Sequence, residues 1–270
     1  MELVSWPMIM ILLGAGIGVG FVSGLLGIAG GVILVPVLLT VGKVLGASPD
    51  TAVKTAFGTS LLVGFLTSLA GTLQHHRVYN ICWRDAMVLA AAGIVGALIG
   101  SSVSASMPAA VLKPAFGTVV MAVAALLAFR PEPKEYIIRE TRSLASLLPV
   151  GVLVGILSSL VGIGGGVMLV PYLTMALGYV PSMAVGTSGA VIPMIALFGA
   201  TGYVLHGWGG QDLLPYSVGY VNYFFVLCVA ATSIPAAPLG ARVASRLRGR
   251  LLKRLFALLL VFVALRMFGF

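Results

Sequence analysis

The feature that most constrains this chain is the length of its uncharged stretches. Residues 143–205 contain no Asp, Glu, Lys or Arg, and residues 3–42 contain none either. As one helix, residues 143–205 would be about 95 Å long, so they must fold back at least twice within a hydrocarbon core of about 30 Å. Of the 270 residues, 60% are hydrophobic and 9% are charged, against roughly a quarter charged in soluble domains. We therefore expect an all-α polytopic membrane protein.

The second half of the chain repeats the first. Residues 20–36 recur as residues 155–171, and both copies carry two separated glycines, a Gly-Gly pair and a proline at the same spacing. Gly-Thr-Ser elements follow in the same order at 58–60 and 186–188, and a third matching block follows those. Three matching blocks in the same order indicate a duplicated unit. We predict a first membrane repeat at 1–130, a polar linker at 131–144 and a second membrane repeat at 145–270.

Each repeat is predicted to contain about five helical segments. They cover 8–27, 32–42, 55–73, 86–105 and 112–130 in the first repeat, and 145–162, 167–178, 186–205, 216–241 and 252–268 in the second. The second segment of each repeat is only about 17 Å long, so with the first it forms a broken or re-entrant hairpin that turns at the glycines. Three full spans follow, which gives each repeat odd parity. Two copies of odd parity must have inverted topology.

The positive charges agree with this inverted arrangement. Twelve of the 16 Lys and Arg residues fall on one side of it: two in the 77–84 loop, four at Arg130 and in the 131–144 linker, and six in the 242–254 cluster. Cytoplasmic loops carry such an excess, so we expect a cytoplasmic linker and both termini outside, in the plasma membrane of a prokaryote (the inner membrane). The net charge of +9 then records orientation, and no nucleic-acid partner is expected.

The two glycine-rich turns are the first candidate for a binding site. Glycine permits positive φ and close backbone approach, and the N–H groups that open the following short helices would suit an anion. Pro36 and Pro171 fit either the first turn of the short helix or a kink within it. The alternative is that the glycines only permit tight helix crossing. The candidate residues are Gly27, Gly30, Gly31, Gly162, Gly164, Gly165 and Gly166.

Hydroxyl groups near the turns are the second candidate set, because they can donate to an oxyanion or bond to the local backbone. They are Ser23, Ser158, Thr59, Ser60, Thr187 and Ser188. Lys54 and Lys113, at helix starts, form either an electropositive vestibule or simple helix anchors. His76 and His206 are either proton relays or ordinary interfacial histidines. The chain shows no acid deep in a predicted span and no metal-ligand spacing, so we expect no metal, no cofactor and no enzymatic site.

These motifs resemble those of the TauE/SafE family of sulfite-exporter-like membrane permeases. The resemblance rests on residues 24–36 and 160–171 with the two Gly-Thr-Ser elements, and it covers essentially the whole chain. The first copy departs at Ala29, where the second has Gly164. The resemblance implies secondary transport, usually export, of small sulfur-containing anions: sulfite, sulfoacetate, other organosulfonates or thiosulfate.

Inverted repeats with broken helices are a recurrent transporter design that works by alternating access. We therefore expect a carrier whose partners are a small anion and the lipid bilayer, with coupling to a proton or ion gradient as an open possibility. Two alternatives remain at this stage: an uncoupled small-anion channel, and a haem-bearing or enzymatic membrane subunit.

Overall fold

Ten α-helices form the part of the chain that the computed structural model describes, which is residues 5–27, 29–77, 81–129, 144–210, 212–244 and 249–268. The first repeat contains α1 (Trp6–Leu26), α2 (Gly31–Val44), α3 (Pro49–Arg77), α4 (Trp83–Ser106) and α5 (Ala109–Phe129). The second contains α6 (Leu148–Leu160), α7 (Gly166–Pro171), α8 (Pro181–Gly207), α9 (Tyr223–Ala244) and α10 (Gly249–Phe268). A 3₁₀ turn at Leu144–Ser146 precedes α6, and a π-helical turn at Tyr172–Ala176 continues α7. The predicted linker lies outside the described residues except for Leu144.

The all-helical expectation is confirmed, and each predicted segment corresponds to one helix. Several boundaries are wrong: α3 and α8 begin at Pro49 and Pro181, earlier than predicted. The segment predicted over 216–241 begins with a small antiparallel hairpin of β1 (Ser217–Val218) and β2 (Val221–Asn222). The Asn222 side chain then starts α9, because its Oδ1 accepts the Phe225 N–H at 3.0 Å, a standard helix cap. Apolar length alone could not locate this cap.

Six of the described helices are long and apolar enough to cross a membrane: α1, α3, α4, α5, α8 and α9. The mean hydropathy of their best windows runs from 1.5 to 2.3. The helices α2 and α6, the joined α7 and π turn, and the apolar part of α10 are shorter. The short second segment of each repeat is therefore present in the structure, as the sequence predicts.

Glycines bring the two repeats together along two long helix pairs. The helix α1 packs along α9, and Gly20 faces the Ser233 backbone with no room for a Cβ. In the same way α4 packs along α6, where Gly96 faces the Val152 carbonyl and again leaves no room for a side chain. Close backbone approach at small residues is the usual basis of helix association in membranes. For these glycines the packing interpretation is the correct one.

The contacts also give the relative directions of the helices. Along α1 and α9 the paired positions rise together, from Gly16 beside Val229 to Gly24 beside Ala237, so the two helices are parallel. The same holds for α4 and α6. By contrast α3 and α8 are antiparallel.

Contacts in three further helix pairs fix the remaining directions. Gly58 lies beside Tyr203, whereas Thr72 lies beside Gly189, and this makes α3 antiparallel to α8. The helix α3 runs parallel to α9, since Thr59 bonds to Asn222 and Thr67 bonds to Ser233. The helix α4 runs parallel to α8, from the Gly93–Ile195 contact to the Ser104–Tyr203 hydrogen bond. Thus α1, α3 and α9 point one way, and α6, α8 and α4 point the other.

Candidate functional site

The two glycine turns lie beside the middle of the two longest helices. In the first turn Ala29 packs against Gly64, near the centre of α3, and in the second Gly164 lies within contact distance of Ile192, near the centre of α8. Residues 29–32 and 161–167 are buried. Because α3 and α8 are long enough to cross a bilayer, this position corresponds to the midplane region, where broken-helix transporters place their sites.

Glycine is required at two equivalent places in each turn. Gly27 and Gly162 have φ of +66° and +71°, and Gly30 and Gly165 have φ of +71° and +83°. These are left-handed conformations that other residues adopt only at a cost. The spacing that marks the repeat in the sequence is therefore the spacing of the two left-handed residues, since Gly27 ends α1 and Gly30 precedes α2.

The turns contact each other across the boundary between the repeats. Ala29 and Gly164, which occupy equivalent places in the two copies, face each other, and a Cβ on Gly164 would collide with that of Ala29. Gly164 has φ of +84°, whereas Ala29 is outside the left-handed region. Gly31 likewise has no room for a Cβ against the Gly162 carbonyl. The difference between the two motifs at Ala29 and Gly164 therefore has a packing reason: only one side chain fits at this contact.

The second turn presents unpaired backbone donors. The Gly165 carbonyl accepts the N–H groups of Met168 and Leu169 at 3.1 and 3.0 Å, and no side chain caps α7. Within the described part of the chain, the N–H groups of Gly166 and Val167 have no acceptor. In the first turn the Gly30 carbonyl likewise accepts the N–H groups of Ile33 and Leu34. Unpaired N–H groups of this kind attract negative charge.

The serines of the two Gly-Thr-Ser elements hold the opposite turn. Ser60 Oγ donates to the Gly162 carbonyl at 2.7 Å, and Ser188 Oγ donates to the Gly27 carbonyl at 3.2 Å. Ser60 also bonds its own helix, at the Phe57 carbonyl. Each of these serines thus connects one repeat to the turn of the other. A direct role for them in binding substrate stays a prediction.

The threonines of the same elements support the fourth helix of the opposite repeat. Thr59 Oγ1 accepts the Asn222 N–H, and Thr187 Oγ1 accepts the Cys82 N–H, each at 3.0 Å. Asn222 and Cys82 immediately precede α9 and α4. Both threonines are fully buried. Their hydroxyl protons are not used in these two bonds, so they keep a donor for another acceptor.

Ser158 is the candidate hydroxyl that lies beside the unpaired backbone donors. Its side chain is fully buried, and its Oγ has no hydrogen-bond partner among the described residues. A Cβ placed on Gly165 would be 3.6 Å from this oxygen. A buried hydroxyl without a partner is costly, so its position beside the turn suggests a ligand.

Ser23 occupies the equivalent place in the first repeat, but its surroundings differ. It lines a small pocket of about 10 Å³, together with Ser68, Thr72 and Gly189. That volume is the room of about one water molecule. Thr72 donates to the Gly189 carbonyl at 2.6 Å. The two halves of the site are therefore not chemically identical.

The prolines stand inside helices rather than at their first turns. Pro36 is within α2, and Pro171 is the last residue of α7, where the helix passes into the π-helical turn. The Thr40 hydroxyl bonds the Pro36 carbonyl at 3.0 Å. Of the two predicted placements, the structure has the one inside the helix. A proline removes one helical N–H donor; α2 nevertheless continues as an α-helix past Pro36, whereas α7 passes into the π-helical turn after Pro171.

The structure does not bring the predicted relay residues to the turns. His76 is exposed and accepts from Trp83 Nε1 at 3.4 Å, and His206 is exposed with its Nδ1 2.8 Å from the Gly202 carbonyl. Lys54 Nζ lies 5.5 Å from the centre of the Tyr220 ring. Lys113 lines a separate groove between α2 and α10. A relay or vestibule role for these four residues stays a prediction.

One buried acid was missed from the sequence. Asp85 lies one residue before the predicted span 86–105, but α4 begins at Trp83, so the carboxylate is in the first helical turn and is buried. The Tyr179 hydroxyl donates to it at 2.6 Å. Burial, with this hydrogen bond, raises the pKa of the Tyr179 phenol above its usual range. The phenol therefore stays protonated and joins α4 to the loop before α8.

Comparison with known proteins identifies the family. Residues 12–267 match the family described as sulfite exporter TauE/SafE. A probable membrane transporter protein of Haemophilus influenzae is 30% identical over 249 residues, which is 92% of this chain and 94% of that protein. One from Methanocaldococcus jannaschii is 33% identical over 229 residues, 84% of this chain and 83% of that protein. One from Bacillus subtilis is 25% identical over 270 residues, 94% of each chain.

No solved structure matches the chain. The family match spans both glycine turns and all six apolar spans almost completely, so it applies to the whole membrane unit. The resemblance seen in the motifs is thereby confirmed. This chain is a multi-pass membrane protein that belongs to the TauE/SafE sulfite exporter family.

Proposed function

We propose that this protein is a secondary transporter that exports small sulfur-containing anions, such as sulfite, sulfoacetate or other organosulfonates, across the prokaryotic plasma membrane. The family supports transport as the function, since the relatives above are named probable membrane transporters. The observation that carries the proposal is the meeting of the two glycine turns at the middle of α3 and α8. There, the unpaired donors of the second turn belong to the buried residues 161–167, none of which carries a formal charge.

The chemistry of the second turn fits an oxyanion. The N–H groups of Gly166 and Val167 and the Ser158 hydroxyl are all donors without an acceptor in the described structure. A sulfite or sulfonate group offers three acceptor oxygens, and hydrogen bonds to a charged acceptor are the stronger ones. A buried cation would bind any anion tightly and release it slowly, whereas neutral donors permit both binding and release of the anion. This set therefore suits reversible binding.

Inverted repeats support alternating access as the mechanism. The equivalent helix pairs α1 and α6, α3 and α8, and α4 and α9 run in opposite directions. A two-fold axis in the membrane plane produces this relation, and such repeats rock against each other about a central site. In the described conformation Ala29 and Gly164 close the contact between the turns. On this proposal, opening toward either side separates that contact.

Counterflow in proteoliposomes tests the carrier proposal. Purified protein is reconstituted with unlabelled anion inside, and uptake of ³⁵S-labelled sulfite or sulfoacetate is followed from outside. A carrier exchanges substrates, so internal anion accelerates uptake of the label. Flux that ignores the internal anion would instead identify an uncoupled channel. Absence of any flux across a panel of sulfite, sulfate, thiosulfate, sulfoacetate, taurine and isethionate would refute a sulfur-anion substrate.

The Ser158→Ala variant tests the site. The hydroxyl has no hydrogen bond to any described residue, so its loss is expected to leave the thermal stability unchanged. A lost hydrogen bond to a charged ligand costs about 1.5–3 kcal/mol, or roughly 10- to 150-fold in affinity. Ser159→Ala is the matched control, because Ser159 is equally buried and unpartnered but faces Gly199 of α8. Equal substrate affinity in both variants would remove Ser158 from the site.

A further inference from the structure

A second site lies apart from the glycine turns, in a groove of about 680 Å³ between α2, α5 and α10. We call it the α2–α10 groove. Three cations line it: Lys43, Lys113 and Arg266. Its walls include the apolar side chains of Ile33, Val37, Leu259 and Phe262. The volume is within the range of about 300–1,000 Å³ that is usual for ligand pockets.

Charge and apolar surface are separated along the groove. On α2, Lys43 lies ten residues beyond Ile33, which is about 15 Å along the helix axis. On α10, Arg266 lies seven residues beyond Leu259, or about 10 Å. Lys43 and Arg266 are therefore near the ends of α2 and α10, and the apolar walls extend from them to the start of α2 and to the middle of α10. A phospholipid has the same polarity, with a charged head and a long apolar tail.

The cations of the groove have no counter-ion from the described residues. No Asp or Glu is among the groove-lining residues, and in the described part of the chain none of these three cations forms an ion pair. Of the described acids that have partners, Asp50 accepts the Ala109 N–H and Asp85 accepts from Tyr179. Neighbouring like charges repel each other, and an anion between them relieves this repulsion.

The groove opens toward lipid rather than toward the protein interior. On α10, Phe262 of the groove wall is 63% exposed, and Leu258, one turn before it and outside the groove lining, is 69% exposed. Such large apolar side chains on the surface of a membrane helix contact acyl chains. An occupant of the groove would therefore be reached from the bilayer. A small free anion would use only the cations and would leave the apolar walls uncovered.

We propose that the α2–α10 groove binds one anionic phospholipid. Its phosphate lies among Lys43, Lys113 and Arg266, and an acyl chain lies along Ile33 and Phe262. Lipid-facing basic residues beside membrane helices recognise anionic head groups in this way. Since α2 follows the first glycine turn directly, an occupied groove would hold α2 against α10. This proposal does not depend on which substrate the protein carries.

Lipid-dependent thermal stability of the full chain tests the proposal. Protein in neutral detergent is mixed with phosphatidylglycerol, with phosphatidylcholine, or with inorganic phosphate at equal ionic strength. We expect phosphatidylglycerol alone to raise the Tm. In the K43Q/K113Q/R266Q variant, loss of three charges is expected to weaken phosphatidylglycerol binding roughly 100-fold. The R246Q/R248Q/R250Q variant removes the same charge from the 242–254 cluster and is the matched control.

Two results would overturn the proposal. One is a rise in Tm with phosphatidylglycerol that is unchanged in the K43Q/K113Q/R266Q variant. The other is a rise in Tm with inorganic phosphate that equals the rise with phosphatidylglycerol and is lost in that variant. The second result would identify a free-anion site. Native mass spectrometry provides a separate measurement: one phosphatidylglycerol should remain bound to the natural chain and be lost in R266Q, a single change at an exposed residue. Retention of phosphatidylcholine instead would also refute an anionic lipid site.

Discussion

The contact between Ala29 and Gly164 gives a quantitative test of how the two repeats meet. The two residues are 135 positions apart and occupy the same place in the repeated motif. A Cβ on Gly164 would collide with the Ala29 Cβ, and Gly164 also has φ of +84°. The G164A variant therefore suffers two separate penalties. When A29G is added to G164A, it removes the collision but not the backbone strain. A double-mutant cycle therefore separates the two penalties.

The magnitudes follow from the structure. Alanine in the left-handed region costs roughly 1–2 kcal/mol, and overpacking adds about 1–3 kcal/mol, so G164A should lose about 2–5 kcal/mol of unfolding free energy. A29G should lose about 1–2 kcal/mol, through one buried methyl group and greater backbone entropy. In A29G/G164A the collision disappears and the methyl group is restored from the other side. The coupling energy should therefore be about 2–4 kcal/mol.

Thermal unfolding of the purified protein, followed by the fluorescence of its three tryptophans, measures this cycle. One kcal/mol corresponds to about 2–4 °C in a chain of this size class, so G164A should lower the Tm by about 5–15 °C and the double variant should recover part of it. A29G/G14A is the control, because a Cβ on Gly14 meets nothing within 4 Å. Additive effects in A29G/G164A, within about 0.5 kcal/mol, would show that the turns do not touch.

Three further tests address the packing, the buried acid and the helix directions. Gly96→Ala should lower the free energy of unfolding by about 1–3 kcal/mol, because Gly96 faces the Val152 carbonyl of α6. The control is Gly18→Ala, at an open position that should accept alanine without loss. Equal Tm values for these two variants would contradict the α4–α6 packing. Tyr179→Phe should cost about 1–3 kcal/mol by removing the donor to a buried carboxylate, and a Tm equal to that of the natural chain would show that this bond does not stabilise the fold. Ser106→Cys and Ser182→Cys, in a background without other cysteines, should react with impermeant thiol reagents from opposite sides of the membrane, and labelling from one side would refute the parallel arrangement of α4 and α8.

Much of the fold could be predicted because its signals are local. Uncharged length indicates membrane helices whatever surrounds them, and glycine spacing marks the turns because left-handed backbone at Gly27 and Gly30 requires that residue type. The boundary errors have local causes too. The hairpin before α9 depends on Asn222, and Asp85 became helical because α4 starts earlier than its apolar run.

The candidate site was only partly predictable, because its key contacts join distant residues. The sequence indicated that Ser60 and Ser188 belong near glycine turns, but not that each bonds the turn of the other repeat. It offered Ser158 and Ser23 as equivalents, whereas packing leaves Ser158 without a described partner and places Ser23 beside a small pocket. Lys54 and Lys113 were grouped by their positions at helix starts, yet they face different surroundings.

The sequence by itself thus determined the class of protein, the duplication, the number of helical segments and the location of the turns, since each depends on hydrophobicity and backbone freedom within short stretches. Tertiary structure decided which glycines serve packing and which serve the turns. It also decided why Ala29 and Gly164 differ, and which cations share the α2–α10 groove. The physical reason is that these properties depend on contacts between helices more than fifty residues apart, and such contacts are fixed only when the helices pack together.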